Sequence, residues 1–270
     1  MLVSAVILSF NSVKTLPRCL DSLLESCQQF EQASEIFVVD NGSQDGSVEL
    51  LKEYQQQYPE IIKPIFFEQN TGTTFSRNSA MKQSSGDYVL VLDSDAYITP
   101  DCLKTLIEYN QAHPESGLVV PKLTYASGNF QLSCDTFPTL WKKAKRFLFL
   151  KNMEASEHPL SVVTEPVDVD YAISACWLIS RECVKSTGLL DENIFYSPED
   201  VDYCVRVWKA GYKITYIPST KMIHDAQELS RGFKLSKFHF SHLAGLFYLF
   251  KKHRYFFGLS GLYKKMKRHA

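Results

Sequence analysis

No stretch of this 270-residue sequence reaches the roughly 20 uninterrupted apolar residues that a membrane-spanning helix requires. Its seven cysteines (Cys19, Cys27, Cys102, Cys134, Cys176, Cys183 and Cys204) are scattered, odd in number and never spaced as C-x-x-C. That pattern argues against a zinc site and against a disulfide framework, and makes a reducing cytosol the simplest compartment. No G-x-G-x-x-G follows the first apolar run, which counts against a dinucleotide oxidoreductase, and no G-x-x-x-x-G-K-[ST] is present, which removes the P-loop. The run Met1-Leu-Val-Ser-Ala-Val-Ile-Leu-Ser9 has no basic region before it and no small-residue cleavage site after it, so it reads as a first strand and not a signal peptide. Acidic residues are missing from Ser230 to Ala270, where ten Lys and Arg stand alone. The remainder holds nineteen basic against thirty acidic groups, so an acidic body carries a basic tail. Nucleic acid would call for a basic stripe on a folded scaffold, and an acidic body does not supply one.

What is present is ordinary globular material: 45% hydrophobic and 22% charged residues, enough for one large α/β domain or two small ones. Continuous apolar runs predict buried strands at Ser4–Ser9, Glu35–Asp40 and Tyr88–Asp93, with a third strand at 61–67 that Pro64 moves towards an edge. Between them Leu16, Leu20, Leu23, Leu24 and Cys27 recur at helical spacing, as do Val48, Leu51, Tyr54 and Tyr58. A further helix is expected after the polar turn Gln69-Asn70-Thr71-Gly72, running to about Gln83, and another from Pro100 to Asn110. Strand and helix in alternation predict a parallel sheet with helices on both faces. Beyond it come strands at 117–121, 167–171, 174–180 and 212–217, a helix that follows Glu199-Asp200 and runs to about Ala210, and an irregular excursion at 122–165 with a basic aromatic helix at 141–147. Phe238–Phe250, flanked by lysines, is too short to span a bilayer; it fits a helix lying in a membrane interface or one docked on the body.

Ligands of such sheets bind beyond the carboxyl ends of the strands. The polar ends Ser9-Phe10-Asn11, Asp40-Asn41-Gly42, Glu68-Gln69-Asn70 and Asp93-Ser94-Asp95 are therefore expected on one rim. Extended alternation would turn Asp93 and Asp95 to the same side, an arrangement suited to a hard divalent cation that also grips phosphates. The plainer reading is a pair of solvated loop aspartates ahead of the next helix.

These segments in this order resemble the family 2 inverting glycosyltransferases, and within them bacterial rhamnosyltransferase-type enzymes of surface polysaccharide synthesis. The resemblance spans about residues 2–226. It rests on Val6-Ile-Leu-Ser-Phe-Asn11, Val38-Val-Asp40-Asn-Gly-Ser43-Gln-Asp45-Gly-Ser47, Asn70-Thr-Gly72-Thr-Thr-Phe-Ser-Arg77-Asn78, Gly86–Asp95, Gly188-Leu-Leu-Asp191-Glu192, Glu199-Asp200-Val-Asp202 and His224. It implies the GT-A fold: a Rossmann-like, mostly parallel sheet flanked by helices. The expected division is a catalytic domain over 1–228 and a basic amphipathic extension over 229–270.

The resemblance also implies roles. Ser9, Phe10 and Asn11 would hold nucleobase and ribose, and Asp40 would accept the N3–H of uracil or thymine unless it bonds its own turn. Asn70, Arg77, Asn78, Asp93 and Ser94 would lie near sugar and diphosphate, although Arg77 could equally make a surface ion pair. Asp93, Asp95 and His224 would hold Mn²⁺ or Mg²⁺. Asp95, the second carboxylate, would make the more direct contact, and Asp93 would assist through water, because Asp93-Ser94-Asp95 stands where many members have N-P-D. Asp200 would be the general base of an inverting transfer, with Glu199 as fallback. Cys176 and Trp177 would line an acceptor pocket, with a core role as the alternative, and Asp202 would support that side. The implied partners are a UDP- or dTDP-sugar donor, a glycan or lipid-linked glycan acceptor, and an anionic membrane surface for the tail on the cytoplasmic side. A sugar-nucleotide-binding protein without turnover is the main alternative. A nucleotidylyltransferase would want a Gly- and Arg-rich loop where Ser9-Phe10-Asn11-Ser12 stands.

Overall fold

Along the strand Tyr88–Asp93 side chains alternate between two apolar layers: Tyr88, Leu90 and Leu92 enter one core, Val89 and Val91 the other. The whole chain is arranged around that division. The computed structural model describes residues 2–29, 33–142, 158–225 and 237–266. In chain order the first half comprises β1 (Leu2–Ser9), α1 (Leu16–Gln29), β2 (Ala33–Asn41), α2 (Ser47–Gln57), β3 (Ile62–Phe67), α3 (Thr73–Met81), β4 (Tyr88–Asp93), β5 (Ala96–Ile98), α4 (Cys102–Ala112) and β6 (Leu118–Thr124). The second half comprises β7 (Cys134–Asp135), α5 (Pro159–Val162), β8 (Val167–Asp168), β9 (Tyr171–Ala172), β10 (Cys176–Ser180), α6 (Arg181–Thr187), α7 (Glu199–Lys209), β11 (Ile214–His224), α8 (Lys237–His253) and α9 (Ser260–Lys265).

A nine-stranded sheet runs β3-β2-β1-β4-β10-β6-β11-β5, with β8 added to β11. Strands β3, β2, β1 and β4 are mutually parallel, and β6 is parallel to β11. The departures are β10, inserted antiparallel between β4 and β6, and the short β5 and β8, both antiparallel to β11. The sheet is thus mostly parallel, as the alternation of strands and helices predicts. Pro64 sits on edge strand β3, where a missing N–H costs no ladder bond. Leucines of α1, Leu51 of α2 and Leu103, Leu106 and Ile107 of α4 fill one core; α3, α6, α7, α8 and α9 fill the other.

Several segments depart from the sequence expectation, and the strand expected at 167–171 is instead two short ones, β8 on the main sheet and β9 paired with β7. Strand β5 is too short to leave a periodic signal. Strand β11 runs on to His224 through an irregularity between Ile217 and Lys221. The expected helix at 141–147 begins at its first two residues and otherwise lies outside the described residues. At the other end Leu246, Leu249 and Phe250 of α8, then Tyr255, Leu262 and Met266, join the core that contains Trp177 and α7. The C-terminal helices are docked on the body. Among the described residues no helix is long and apolar enough to cross a membrane.

Candidate active site

Register assembles the site. Leu8 pairs with Asp93 and Ser9 with Asp40, so the ends of β1, β2 and β4 lie on one rim. Strand β4 stops at Asp93, and residues 94–95 turn into β5. That turn, rather than continued alternation, presents Asp95. Strand β5 then pairs antiparallel with β11 so that His224 stands opposite Ala96, and the Asp225 N–H donates to the Asp95 carbonyl at 2.9 Å. His224 Nε2 consequently lies 3.4 Å from Asp95 Oδ1 and 3.7 Å from Asp93 Oδ2.

One ligand atom from each of Asp93, Asp95 and His224 falls within 4.8 Å of the others, the sole such cluster among the described residues. Two carboxylates and an imidazole at the end of a strand fit a divalent cation that takes oxygen ligands with one nitrogen. Burial would lower the pKa of His224, but its hydrogen bond to Asp95 and the charges of Asp93 and Asp95 hold it above the ordinary value. On its other side Nδ1 meets Gln131 Oε1 at 3.1 Å, which fixes the ring and turns Nε2 to the carboxylates. Gln131 lies in the irregular excursion, where no periodicity points to it.

Asp93 faces the layer containing α3 and α7, as Val89 and Val91 do. There Arg77, 1% exposed, makes a short ion pair with Asp93 Oδ1, meets Glu199 Oε1 at 3.5 Å and donates to the Ser174 hydroxyl at 2.7 Å. Burial and the Asp95 charge raise the Asp93 pKa while Arg77 opposes them. Glu199 is also raised, by burial and by Asp200, and accepts from the Ser174 hydroxyl at 2.9 Å. Arg77 therefore ties the cation cluster to the first turn of α7. It is neither a surface ion pair nor placed to reach a diphosphate directly.

In that first turn Asp200 is half-buried and accepts from the Val201 N–H at 2.7 Å, while Glu199 is buried and turned towards Arg77. Glu199 is thus a poor fallback base, because it has no open path to an acceptor. Tyr196, exposed just ahead of that turn, has no role in the sequence expectation. Burial raises its pKa, as do the surrounding carboxylates of Glu199, Asp93 and Asp200. Its adjacency to Glu199-Asp200 was the available signal.

Among the residues expected at the nucleotide, Phe10, Asn11 and Asn70 are exposed on the rim and Ser94 is half-buried there. Asn11 accepts from the Gln44 N–H at 2.9 Å, and Asn70 accepts from the Asn41 amide at 3.0 Å. Ser9 and Asp40 are buried: Asp40 Oδ1 takes the Ser43 N–H at 3.0 Å, which is the turn-aspartate reading, and Ser9 meets the Ser12 hydroxyl at 2.7 Å. Asn78 is buried too, bonded to Leu190 and to Glu192 Oε1 at 2.8 Å, so it braces the Gly188–Glu192 turn and is not open to a sugar.

The acceptor assignments need correction. Strand β10 lies mid-sheet, so Cys176 and Trp177 are sealed into opposite cores. The Trp177 ring stacks on Tyr203 at 5.5 Å, and its N–H donates to the Ala172 carbonyl. Asp202 is fully buried on the side of α7 that faces α8, so it cannot touch an acceptor.

The sequence profile described as Glycosyl transferase family 2 matches residues 4–188, over half of the chain. The chain belongs to this family. Its members are inverting glycosyltransferases. This family 2 glycosyltransferase is 25% identical, over 97% of its length, to a cholesterol galactosyltransferase of Borreliella burgdorferi, of which the match covers 71%. It is 26% identical over 72% of its length to an N-acetylglucosaminyl-diphospho-decaprenol L-rhamnosyltransferase of Mycobacterium tuberculosis, with 67% of that protein covered. Among solved structures it shares the fold of GalNAc-T7 with UDP, GalNAc and Mn²⁺ (TM-score 0.66, 17% identity), covering 92% of this chain and about half, 48%, of the other. The profile ends before α7, His224 and α8, so for those elements the geometry of this glycosyltransferase is the guide.

Proposed function

We propose that the chain is a metal-dependent glycosyltransferase that moves a sugar from a UDP- or dTDP-sugar to a hydroxyl of a glycan or lipid-linked glycan. The observation that carries this reading is the cluster of Asp93, Asp95 and His224, which Arg77 ties through Asp93 and Glu199 to the helix turn that carries Asp200. When bound at the three ligands, Mn²⁺ or Mg²⁺ supplies positive charge against the diphosphate of the leaving group. Phe10, Asn11 and Asn70 form the exposed rim on which the nucleoside rests, at the usual ligand position for such sheets. Asp200 takes the proton from the acceptor hydroxyl. The acceptor oxygen bonds to the anomeric carbon as the carbon–oxygen bond to the diphosphate breaks, so the centre inverts and the nucleoside diphosphate departs. Tyr196, beside Asp93 and Asp200, borders the reacting centre.

Residues 1–228 are the catalytic part and 229–270 the basic extension. Leu243, Phe247, Phe256 and Phe257 are exposed on the extension, beside the basic Lys251 and Arg254. That combination supports peripheral attachment to an anionic membrane, where a lipid-linked acceptor would be presented on the cytoplasmic side.

A thermal-shift screen of nucleotide sugars with Mn²⁺ or Mg²⁺, followed by turnover of the donor it selects, tests the reading. Asp95→Ala is expected to lose the cation-dependent shift. Asp200→Asn is expected to keep it while turnover falls about 10²- to 10⁴-fold. Near-normal turnover by Asp200→Asn would remove the base assignment.

A further inference from the structure

The segment from Asp191 to Pro198 leads directly into the helix that carries Asp200, and two glycines close on it. A Cβ on Gly72 (φ +86°) would lie 2.4 Å from the Phe195 carbonyl oxygen, and one on Gly245 in α8 would lie 2.3 Å from that of Ser197. Side chains do not approach backbone so closely, and both positions depend on glycine. On the Gly72 side the Thr73 N–H donates to the Phe195 carbonyl and the Thr74 hydroxyl to the Ile194 carbonyl, each at 2.7 Å. On the α8 side His242 Nδ1 meets the Ser197 hydroxyl at 2.9 Å. The Tyr248 hydroxyl and Lys252 Nζ donate to Asp191 Oδ2 at 2.8 and 2.7 Å.

The far end of the segment is held by the same helix. Asp202 is fully buried, yet it accepts from Lys252 Nζ at 2.6 Å, His253 Nε2 at 2.8 Å and Arg206 Nε at 2.9 Å. Burial would raise the Asp202 pKa, but the His253 hydrogen bond, Arg206 and Lys252 bring it down to about 2. His253 is buried and its pKa lowered by that burial, which makes it a neutral ring. It accepts from Lys209 Nζ at Nδ1 (2.8 Å) and donates from Nε2 to Asp202. One ammonium, Lys252, thus bridges the carboxylates on either side of Asp200.

We propose that α8 is a positioning element of the active site: Lys252 and His253, through Asp191 and Asp202, set where Asp200 and Tyr196 stand relative to Asp93, Asp95 and His224. The helix lies outside the stretch matched to the family, so this is a device of the chain's own C-terminal part. Charge complementarity makes it specific. A buried carboxylate that loses one partner is strongly penalised, so Asp202 holds α8 in one register against α7. The inference rests on Asp200 being the base.

The test uses the full-length chain with the donor selected by the screen above. UDP with Mn²⁺ serves as the binding probe, and hydrogen exchange is followed across residues 191–202. Misplacing a reacting group by about 1 Å costs on the order of 10²-fold. Lys252→Met and His253→Leu are therefore expected to lower kcat about 10- to 100-fold and to speed exchange in this segment, with UDP–Mn²⁺ binding and donor KM within about twofold. His253→Gln can donate to Asp202 and accept from Lys209, and is expected to recover most of the loss. Lys252→Met carries the test if His253→Leu does not fold. Unchanged kcat in Lys252→Met overturns the proposal. So does an equal loss of kcat and UDP–Mn²⁺ binding in all three variants, which would be general damage. A fully active Asp200→Asn removes the base assignment and this inference with it. An inactive Asp200→Asn beside a fully active Lys252→Met removes this inference alone.

Discussion

Replacing Arg77 by methionine keeps most of the side-chain volume and deletes the cation between Asp93 and Glu199. Arg77 is 1% exposed, and its loss leaves those carboxylates without their shared partner and the Ser174 hydroxyl without its donor. Removing one member of a buried ion pair costs about 3–5 kcal/mol. Two features place this case at the lower end, at about 3 kcal/mol: the Asp93 side chain is 32% exposed, and Glu199 already has a raised pKa and can shed its charge by protonation. For a domain of this size that corresponds to a fall in Tm of roughly 6–12 °C. A carboxyl whose folded pKa is raised carries no burden below its unfolded value; the burden grows from there up to the folded value and is constant above it. Arg77 opposes the rise in Glu199 and Asp93, so the deficit of Arg77→Met is expected to be smallest near pH 5 and to grow as pH rises towards and through about 8, the raised pKa of Glu199. A cation held at Asp93 replaces part of the lost charge, so Mn²⁺ is expected to narrow the gap to the parent protein. Differential scanning calorimetry at several pH values, with and without Mn²⁺, reads all three effects. A deficit independent of both pH and Mn²⁺ would refute the argument, because a packing defect alone behaves that way.

Gln131→Leu removes the group that orients His224 and is expected to weaken Mn²⁺ binding about 10- to 100-fold, measured by titration calorimetry; unchanged affinity would mean that the contact does not orient the ligand. Trp177→Ala is expected to destabilise by about 3–5 kcal/mol while leaving acceptor KM unaltered in the folded protein. A raised acceptor KM would return Trp177 to the acceptor site. Replacing Leu243 and Phe247 by glutamate is expected to release the protein from anionic phosphatidylglycerol vesicles in a sedimentation assay, and undiminished binding would count against that face.

Period and punctuation determined much of this protein. The apolar runs that became β1, β2 and β4 can satisfy their backbone and bury both faces only within a sheet, and the leucines of α1 recur at the one spacing that fits a helix on it. The rim at Ser9–Asn11, Asp40 and Asp93–Asp95 follows, because parallel strands end together. Tertiary structure decided which of those polar groups face outward. Asp40 and Asn78 have the composition of ligand contacts, but neighbouring N–H groups and carboxylates fold them inward. Trp177 occupies a mid-sheet strand, which no local pattern separates from a strand lining a pocket. The partnership of Asp95 with His224 depends on the pairing of β5 with β11, and the three residues of β5 are too few to show a period. The charges of α8 read as a basic tail because their acidic partners, Asp191 and Asp202, are 61 and 51 residues away in sequence. A contact made across that separation is a property of the fold, since only packing brings the two helices within the few ångströms at which buried charges select each other.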